Sequence, residues 1–338
     1  MSTIQIVTNL TKEKFNDLVG KDLPFVIRSA NFGRCLEFWN VEYLQTKIAD
    51  GRKVPIHVGK NPLLDFTNKN FQYKFEEFGT FLQKCFAAQS SNELVNKNDY
   101  DDCSNYYYLR SIGDDKRGRE IANLKKHYPS IADDVSYPEF IGFCMNDSNC
   151  SDVECDKRHI FSTVLRISSS SVTIWTHYDV LDNILLQIRG RKRVILFPPN
   201  DAEFLYLKGD KSEIIDLDAD DIEKRFPLYR NCSKFEVILE ERDALFIPAM
   251  WFHNTKALEF SIGINMFWKD FSLNKFYDLT DVYGNKDLIP GKNSLNSLKR
   301  ILTDLNRLPK KYRNFYVHLM ISVLRRELQG DSFMRNCQ

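Results

Sequence analysis

Residues 175–180 read Trp-Thr-His-Tyr-Asp-Val, and we expect this stretch to decide both the fold and the chemistry of the chain. On a strand, residues two apart point to the same face, so His177 and Asp179 would present an imidazole and a carboxylate together while Tyr178 faces away. Two histidines and one carboxylate on one face of an iron(II) ion leave three coordination positions open for a co-substrate and oxygen. The stretch therefore predicts two ligands of such a site.

His253 is the predicted third ligand. It follows the strand-like run 244–247, and a barrel brings strands that are distant in sequence together. A lone His-x-Asp pair arises by chance in many chains, as a hydrogen-bonded turn or a surface pair, so the prediction needs this third residue. Three other histidines are weaker candidates: His57 is expected in the core, His127 is expected to be exposed beside two lysines, and His318 is expected to pack or to face solvent on a helix.

The pattern of short strands predicts a barrel or sandwich. From about Tyr106 to Trp268, β-branched and aromatic runs alternate with Gly, Pro and Asn turns, whereas the first hundred residues mix short helices and strands. From Lys292 onward, leucines recur at helical spacing until Pro309, which is predicted to open a second helix. Two polar inserts, 145–159 and 213–223, are predicted to be surface loops.

Composition limits the class of protein. The chain has 338 residues, 43% of them hydrophobic, and 47 basic against 46 acidic side chains, which fits a folded protein and argues against a general polycation. No leader or membrane span is predicted. The eight scattered cysteines suggest reduced thiols, and hence the cytoplasm or the nucleus. Cys144, Cys150, Cys155 and His159 lack a C-x2-C pair, so a flexible loop is favoured over a zinc site.

Several blocks in order resemble the JmjC-domain oxygenases. The matching blocks are His177-x-Asp179, Asn183, the run 190–199, Ile247-Pro248-x-x-Trp251-x-His253 and the run 265–268. The resemblance implies a mainly β fold with α elements: a double-stranded β-helix of the cupin or jelly-roll type at 105–271, an N-terminal α/β cap at 1–104 and a C-terminal helical region at 272–338. It also implies iron(II), 2-oxoglutarate and oxygen.

Within that family the distal carboxylate of 2-oxoglutarate needs a cation and polar partners. Lys192 matches the family's lysine, Tyr108 its hydroxyl donor and Asn183 a polar contact. The alternative roles are core packing for Tyr108 and a strand-edge cap for Asn183. Ile174 departs from the threonine that some relatives carry before the first histidine.

Further blocks are similar to the JmjC hydroxylases of wybutosine synthesis in tRNA. They are the runs 107–111, 205–213, 246–254 and 281–287. This resemblance implies hydroxylation of the aminocarboxypropyl side chain of a modified guanosine beside the anticodon of phenylalanine tRNA, with release of succinate and carbon dioxide. It also implies a homodimer joined through the C-terminal helices.

Local basic charge is compatible with RNA. Residues 292–326 carry many lysines and arginines but a single acidic residue, Asp304, which predicts either a phosphate-binding surface or a solvated face around a dimer seam. The candidates for RNA contact are Arg189, Arg191, Arg193, Lys208, Lys211, Lys299, Arg300, Lys310, Lys311 and Arg313. Two other hypotheses remain open: a JmjC hydroxylase of protein side chains, and a non-catalytic cupin that binds tRNA or a partner.

Overall fold

The computed structural model describes residues 2–48, 51–90, 105–111, 120–144 and 158–329. The chain divides into two compact units, one formed by residues 1–275 and 279–286 and the other by 276–278 and 287–338. Nearly all of the insert at 145–159, with Cys150 and Cys155, lies outside the described residues.

The strands of the first unit follow one another closely along the chain. They are β1 (Ser2–Thr3), β2 (Gln5–Val7), β3 (Phe25–Ile27), β4 (Lys53–Gly59), β5 (Phe71–Glu77), β6 (Tyr106–Arg110), β7 (Phe143–Cys144), β8 (Arg158–Ser168), β9 (Thr173–His177), β10 (Asp182–Arg189), β11 (Lys192–Phe197), β12 (Leu207–Lys208), β13 (Lys211–Ser212), β14 (Phe235–Leu239), β15 (Ala244–Ile247), β16 (Phe252–Ala257) and β17 (Ser261–Trp268).

Most helices precede the central strands or follow the last one. They are α1 (Lys12–Val19), α2 (Cys35–Phe38), α3 (Val41–Lys47), α4 (Phe78–Ser90), α5 (Leu124–His127), α6 (Pro129–Ala132), α7 (Ile222–Arg225), α8 (Ile289–Leu305) and α9 (Lys310–Leu328). Short 3-10 turns cover Glu139–Ile141, Pro199–Glu203, Pro227–Asn231 and Phe271–Phe276. Among the helices of the described residues, none is both long enough and apolar enough to cross a bilayer.

Two sheets form the first unit. The smaller has the order β1-β14-β11-β16-β9-β13-β12, and the larger has the order β2-β3-β15-β10-β17-β8-β6-β4-β5 with β7 beside β8. Strands that are adjacent in sequence, such as β8 and β9 or β10 and β11, belong to opposite sheets. This exchange between two antiparallel sheets is the jelly-roll arrangement, so the predicted double-stranded β-helix is confirmed. The larger sheet also includes strands from the first hundred residues.

Alternation along β10 shows how the two faces of the larger sheet are covered. Ile184, Leu186 and Ile188 pack in a cluster that includes Phe15 of α1, whereas Leu185 packs in a cluster with Val194 and Leu196 of the smaller sheet. Successive side chains on a strand face opposite ways, so one face meets helices and the other meets the second sheet. The helix-side face is apolar from Ile184 to Ile188, whereas the face toward the second sheet also carries Asn183 and Gln187, so a slip of one residue would bury polar side chains against the helices. This difference fixes the register of the strand.

The two C-terminal helices form most of the second unit. In this unit the described residues of α8 and α9 include many large apolar side chains that are exposed. They are Leu295, Ile301, Leu302, Tyr312, Phe315, Tyr316, Leu319, Ile321, Leu324 and Leu328. The helical pattern predicted from Lys292 onward agrees with these two helices.

The turn between β10 and β11 requires a glycine. Gly190 has a φ of +70°, and a Cβ there would lie 2.1 Å from the carbonyl oxygen of Phe260. Its N–H donates to Glu241 Oε1 at 2.7 Å. A side chain would therefore meet backbone that belongs to a neighbouring segment, in addition to the strain of a left-handed conformation.

We expect Gly190→Ala to lower the free energy of unfolding by roughly 2–4 kcal/mol, because backbone strain and overpacking act together. Gly209→Ala is the matched control, since Gly209 has a φ of +69° but a Cβ added there would meet no atom of the described residues within 4 Å. The control should cost only about 1 kcal/mol. Urea unfolding measures the free energy of unfolding of both variants. Equal decreases in the two variants would contradict the close approach of Gly190 to Phe260.

Candidate metal centre and adjoining cleft

The structure brings His177, Asp179 and His253 together. Their candidate ligand atoms all lie within 4.8 Å of one another, and His253 Nε2 is 3.6 Å from Asp179 Oδ2. The register of β9 and β16 pairs His177 with His253 directly, and the two rings are 4.3 Å apart between centroids. Asp179 is held just beyond β9, where its carbonyl accepts a hydrogen bond from Met250 N at 2.8 Å.

The backbone sets the tautomer of both histidines. Nδ1 of His177 lies 2.9 Å from the carbonyl oxygen of Trp175, and Nδ1 of His253 lies 3.1 Å from that of Trp251. A carbonyl only accepts, so each Nδ1 carries the proton and each Nε2 keeps its lone pair. Two imidazole Nε2 atoms and one carboxylate form a donor set that suits a divalent transition metal.

Burial controls the charge of the three groups. It lowers the pKa of His177, which the neighbouring His253 lowers further, and it lowers the pKa of His253. Burial raises the pKa of the Asp179 carboxyl, against the opposing effect of His253 and Arg110. Neutral imidazoles are the form that binds metal, so the two histidines are ready for coordination at neutral pH.

Lys192 points between the two sheets. It is buried, and in the described parts of the chain its ammonium has neither an ion pair nor a hydrogen bond. Its Nζ lies close to Gly263 of the opposite sheet, since a Cβ built on that glycine would be 3.8 Å from it, an ordinary contact distance. Burial, aided by the charge of Arg166, lowers the pKa of Lys192 to about 7.

Tyr108 and Asn183 belong to one hydrogen-bonded network. Arg166 donates from Nη1 to the Tyr108 hydroxyl and from Nε to Asn265 Oδ1. Asn265 Nδ2 in turn donates to Asn183 Oδ1 at 2.9 Å. Nδ2 of Asn183 is buried and has no acceptor among the described residues. A buried amide donor without an acceptor and a buried ammonium without a partner each fit an anionic oxygen ligand, such as a carboxylate.

A cleft opens beside the three ligands, and its enclosed volume is about 150 Å³. Aromatic side chains form one wall: Phe66 and Trp175 have ring centroids 5.0 Å apart, and Lys211 Nζ lies 4.8 Å from the centre of the Phe66 ring. Lys211 is ion-paired with Asp210, which also accepts from Asn285 Nδ2 at 3.0 Å. The wall suits a flat ring that stacks on aromatic side chains.

His57 lines the same cleft as His177 and Asp179, but it does not belong to the group of candidate metal ligands. His57 is buried against Tyr73 and Tyr108, and burial lowers its pKa to about 4. The expectation that His127 is exposed was wrong, since it is 1% exposed. Its Nδ1 accepts from Asn123 N at 3.1 Å, which a sequence pattern of neighbouring lysines does not reveal.

The basic candidates for RNA contact have different surroundings. Arg189 donates to the carbonyls of Leu36 and Glu37, Arg191 pairs with Glu259, and Arg193 pairs with Glu236 and Asp218. These three arginines do not line the cleft, whereas Lys211 does, and Lys208 is exposed next to it on β12. The remaining candidates lie on α8 and α9: Lys299, Arg300, Lys310 and Lys311 are exposed, and Arg313 is half-buried.

Several cleft residues were not predicted from the sequence. They are Phe66, Tyr73, Arg110, Arg166, Trp175, Asp210, Tyr283 and Asn285. Arg110 could have been found, because it lies two residues after Tyr108 on the same strand and therefore shares its face. The others come from distant segments, and only the fold brings them to one place.

Comparison with known proteins agrees with this geometry. A family model described as a Cupin-like domain matches residues 11–274. The tRNA wybutosine-synthesizing protein 5 of Danio rerio is 39% identical over 319 residues, which cover 94% of this chain and 90% of that protein. The Homo sapiens protein of the same name is 38% identical over 330 residues, covering 97% and 96%. The tRNA wybutosine-synthesizing protein 4 of Neurospora crassa is 34% identical over 325 residues, covering 94% of this chain but 24% of that larger protein.

The region that the family model matches includes the three converging ligands, every strand except β1 and β2, and every cleft residue except Tyr283 and Asn285. Relatives that share more than a third of their residues with this chain extend the match across nearly all of it. The chain therefore belongs to the Cupin-like family, in its JmjC-type form, and is a relative of tRNA wybutosine-synthesizing protein 5.

Proposed function

We propose that the protein is an iron(II)- and 2-oxoglutarate-dependent oxygenase that hydroxylates the wybutosine-type side chain of the modified guanosine beside the anticodon of phenylalanine tRNA. The observation that carries the proposal is the convergence of two Nε2 atoms and one buried carboxylate next to an open cleft. The names of the relatives support the tRNA pathway. Such a substrate would be met in the cytoplasm or the nucleus.

The proposed ligands divide the work between them. His177, Asp179 and His253 would hold iron(II), which supplies oxidation of a C–H bond coupled to decarboxylation of 2-oxoglutarate. Lys192, Tyr108 and Asn183 would bind the distal carboxylate of 2-oxoglutarate. The backbone bonds to both Nδ1 atoms keep the metal-facing nitrogens in place, so little reorganisation is needed when the ion binds.

Substrate-dependent turnover tests this proposal. With iron(II), 2-oxoglutarate and tRNA from cells that lack the protein, the wild-type protein should form succinate and a hydroxylated nucleoside that mass spectrometry detects. His177→Ala should reduce turnover by at least roughly 10³-fold, the scale of losing a group that the reaction requires. Lys21→Ala is the control, since Lys21 is an exposed side chain of the first unit that pairs with the exposed Asp17, and it should leave turnover unchanged.

Two results would reject the proposal. One is wild-type protein that binds neither iron(II) nor 2-oxoglutarate under anaerobic conditions, which would favour a non-catalytic module. The other is succinate formation that depends on a peptide and ignores tRNA, which would favour a protein hydroxylase.

The pH dependence of 2-oxoglutarate binding tests the role of Lys192. Its pKa of about 7 means that the free ammonium loses its proton as the pH rises through neutrality, so binding a carboxylate then requires proton uptake. We expect the Kd of the iron-loaded protein for 2-oxoglutarate to rise by up to roughly tenfold per pH unit between pH 7 and 9. Lys192→Arg keeps its charge and should flatten this slope, while Lys192→Met should bind weakly at every pH. A wild-type Kd that is constant over this range would contradict the assignment.

We also propose the division into an N-terminal cap at 1–104, a catalytic core at 105–271 and a C-terminal region at 272–338 that joins two copies and contacts RNA. Exposed apolar side chains on α8 and α9 support an interface with a second copy. The exposed lysines and arginines on the same helices support contact with phosphates.

A double substitution, Phe315→Asp with Leu319→Asp, tests the interface. These side chains are 62% and 47% exposed, so charge at these positions should not disturb the helix itself. Sedimentation should give twice the monomer mass of 39.7 kDa for the wild type and the single mass for the variant. Leu23→Asp, an exposed apolar position of the first unit, should remain dimeric. A wild-type monomer would refute the interface.

A further inference from the structure

We propose that Arg110 binds a carboxylate on the substrate and so determines which substrate side chains the site accepts. This inference rests on the proposed function and adds a specificity-determining residue to it. Arg110 belongs to the run 107–111, in which the proposed function uses only Tyr108. Both residues line the cleft because they are two apart on β6.

The guanidinium of Arg110 forms no ion pair with a described carboxylate, and Asp179 offsets its charge only at longer range. Its Nε is buried without a hydrogen-bond partner, and no described carboxylate lies within ion-pairing distance of it. Glu120 borders a small void beside Arg110, but its Oε2 is 2.7 Å from Lys126 Nζ and 3.3 Å from His127 Nε2. Burial, reinforced by the nearby charge of Arg166, lowers the pKa of Arg110. The surroundings thus disfavour the positive charge of Arg110, but an arginine side chain stays protonated in proteins. An oxyanion in the cleft would compensate this charge.

The position of Arg110 favours the substrate over the co-substrate as the source of that anion. Arg166 already donates to Tyr108 and to Asn265, which links it to Asn183 of the proposed co-substrate site. Arg110 instead stacks on Tyr283, with Cζ 4.7 Å from the ring centre. Stacking occupies the face of the guanidinium and leaves its in-plane N–H groups available for a bidentate partner.

The surroundings also favour a carboxylate over a phosphate. Arg110 and Asp179 interact electrostatically, so a group held by Arg110 lies close to the metal ligands. The cavity volume of about 150 Å³ equals that of a cavity known to hold benzene, so the space beside the ligands suits the end of a substrate side chain. A carboxylate near the end of a substrate side chain would then place a neighbouring C–H bond beside the ligands.

Paired RNA probes test the inference. Two anticodon stem-loops carry the same modified guanosine, with the side-chain carboxyl either free or as its methyl ester. The wild-type protein should bind the free acid roughly 10- to 100-fold more tightly than the ester under anaerobic conditions, the range for a charge-assisted hydrogen bond. Its kcat/KM should show the same preference. Arg110→Gln should bind the acid more weakly and the ester as tightly as the wild type does, so its preference for the acid should be lost. Arg110→Lys should keep part of this preference.

Other readouts identify the source of the anion and the state of the variants. An unchanged Kd of Arg110→Gln for 2-oxoglutarate would show that the site still folds. A variant that binds 2-oxoglutarate more weakly but still prefers the acid probe would assign Arg110 to the co-substrate and overturn the inference. Equal losses for acid and ester would indicate a phosphate and would also overturn it. Lys21→Gln, which removes an exposed lysine paired with Asp17, should behave as the wild type.

The failure of this inference differs from the failure of the proposed function. Hydroxylation of acid and ester with equal efficiency by the wild type would reject the role of Arg110 while leaving the oxygenase proposal intact. Binding that prefers the acid through Arg110, without any hydroxylation, would support the carboxylate site and reject the oxygenase proposal. Equal binding of both probes and no hydroxylation would reject both.

Discussion

The pairing of β9 with β16 places His177 directly opposite His253, and the rest of the site depends on this register. A slip of one residue would turn one imidazole away from the other, because successive side chains on a strand face opposite ways. The backbone carbonyls of Trp175 and Trp251 then fix each ring through Nδ1. Backbone geometry therefore determines both where the metal-facing nitrogens lie and which of them carries the proton.

The larger sheet positions the polar network of the site. Strand β10 is buried on both faces, by the helix-side cluster that contains Phe15 and by the inter-sheet cluster that contains Val194. Asn183 is the second residue of that strand, and Asn265 lies opposite Leu185 on β17, so buried apolar neighbours on both strands hold the network in place. Apolar packing on two sides thus positions polar groups that do not themselves contribute to the core.

Charge is distributed unevenly between the surface and the cleft. Arg191 and Arg193 are paired with acidic side chains on the outside of the smaller sheet, although Lys192 between them points inward without a partner among the described residues. Arg110 in the cleft forms no ion pair with a described residue, its Nε is buried without a hydrogen-bond partner, and Asp179 interacts with it only at longer range. Buried cations without anions are costly, so their persistence in the fold is best explained by anionic ligands that bind there.

The sequence by itself predicted a barrel or sandwich, His177 and Asp179 on one face of a strand, and His253 as the third ligand. The resemblance in motif order added the jelly-roll class and the role of Lys192. Period-two alternation and motif order are local properties or ordered sets of local properties, so the sequence carries them. The sequence did not determine that His127 is buried, nor that Arg193 pairs with Glu236 and Asp218. Only the tertiary structure brought Phe66, Arg166 and Tyr283 to one cleft, because their segments meet through strand exchange between two sheets. Contacts between segments that are far apart in the chain produce no periodic pattern in the sequence. The residues that form the walls of the cleft could therefore be identified only in the folded protein.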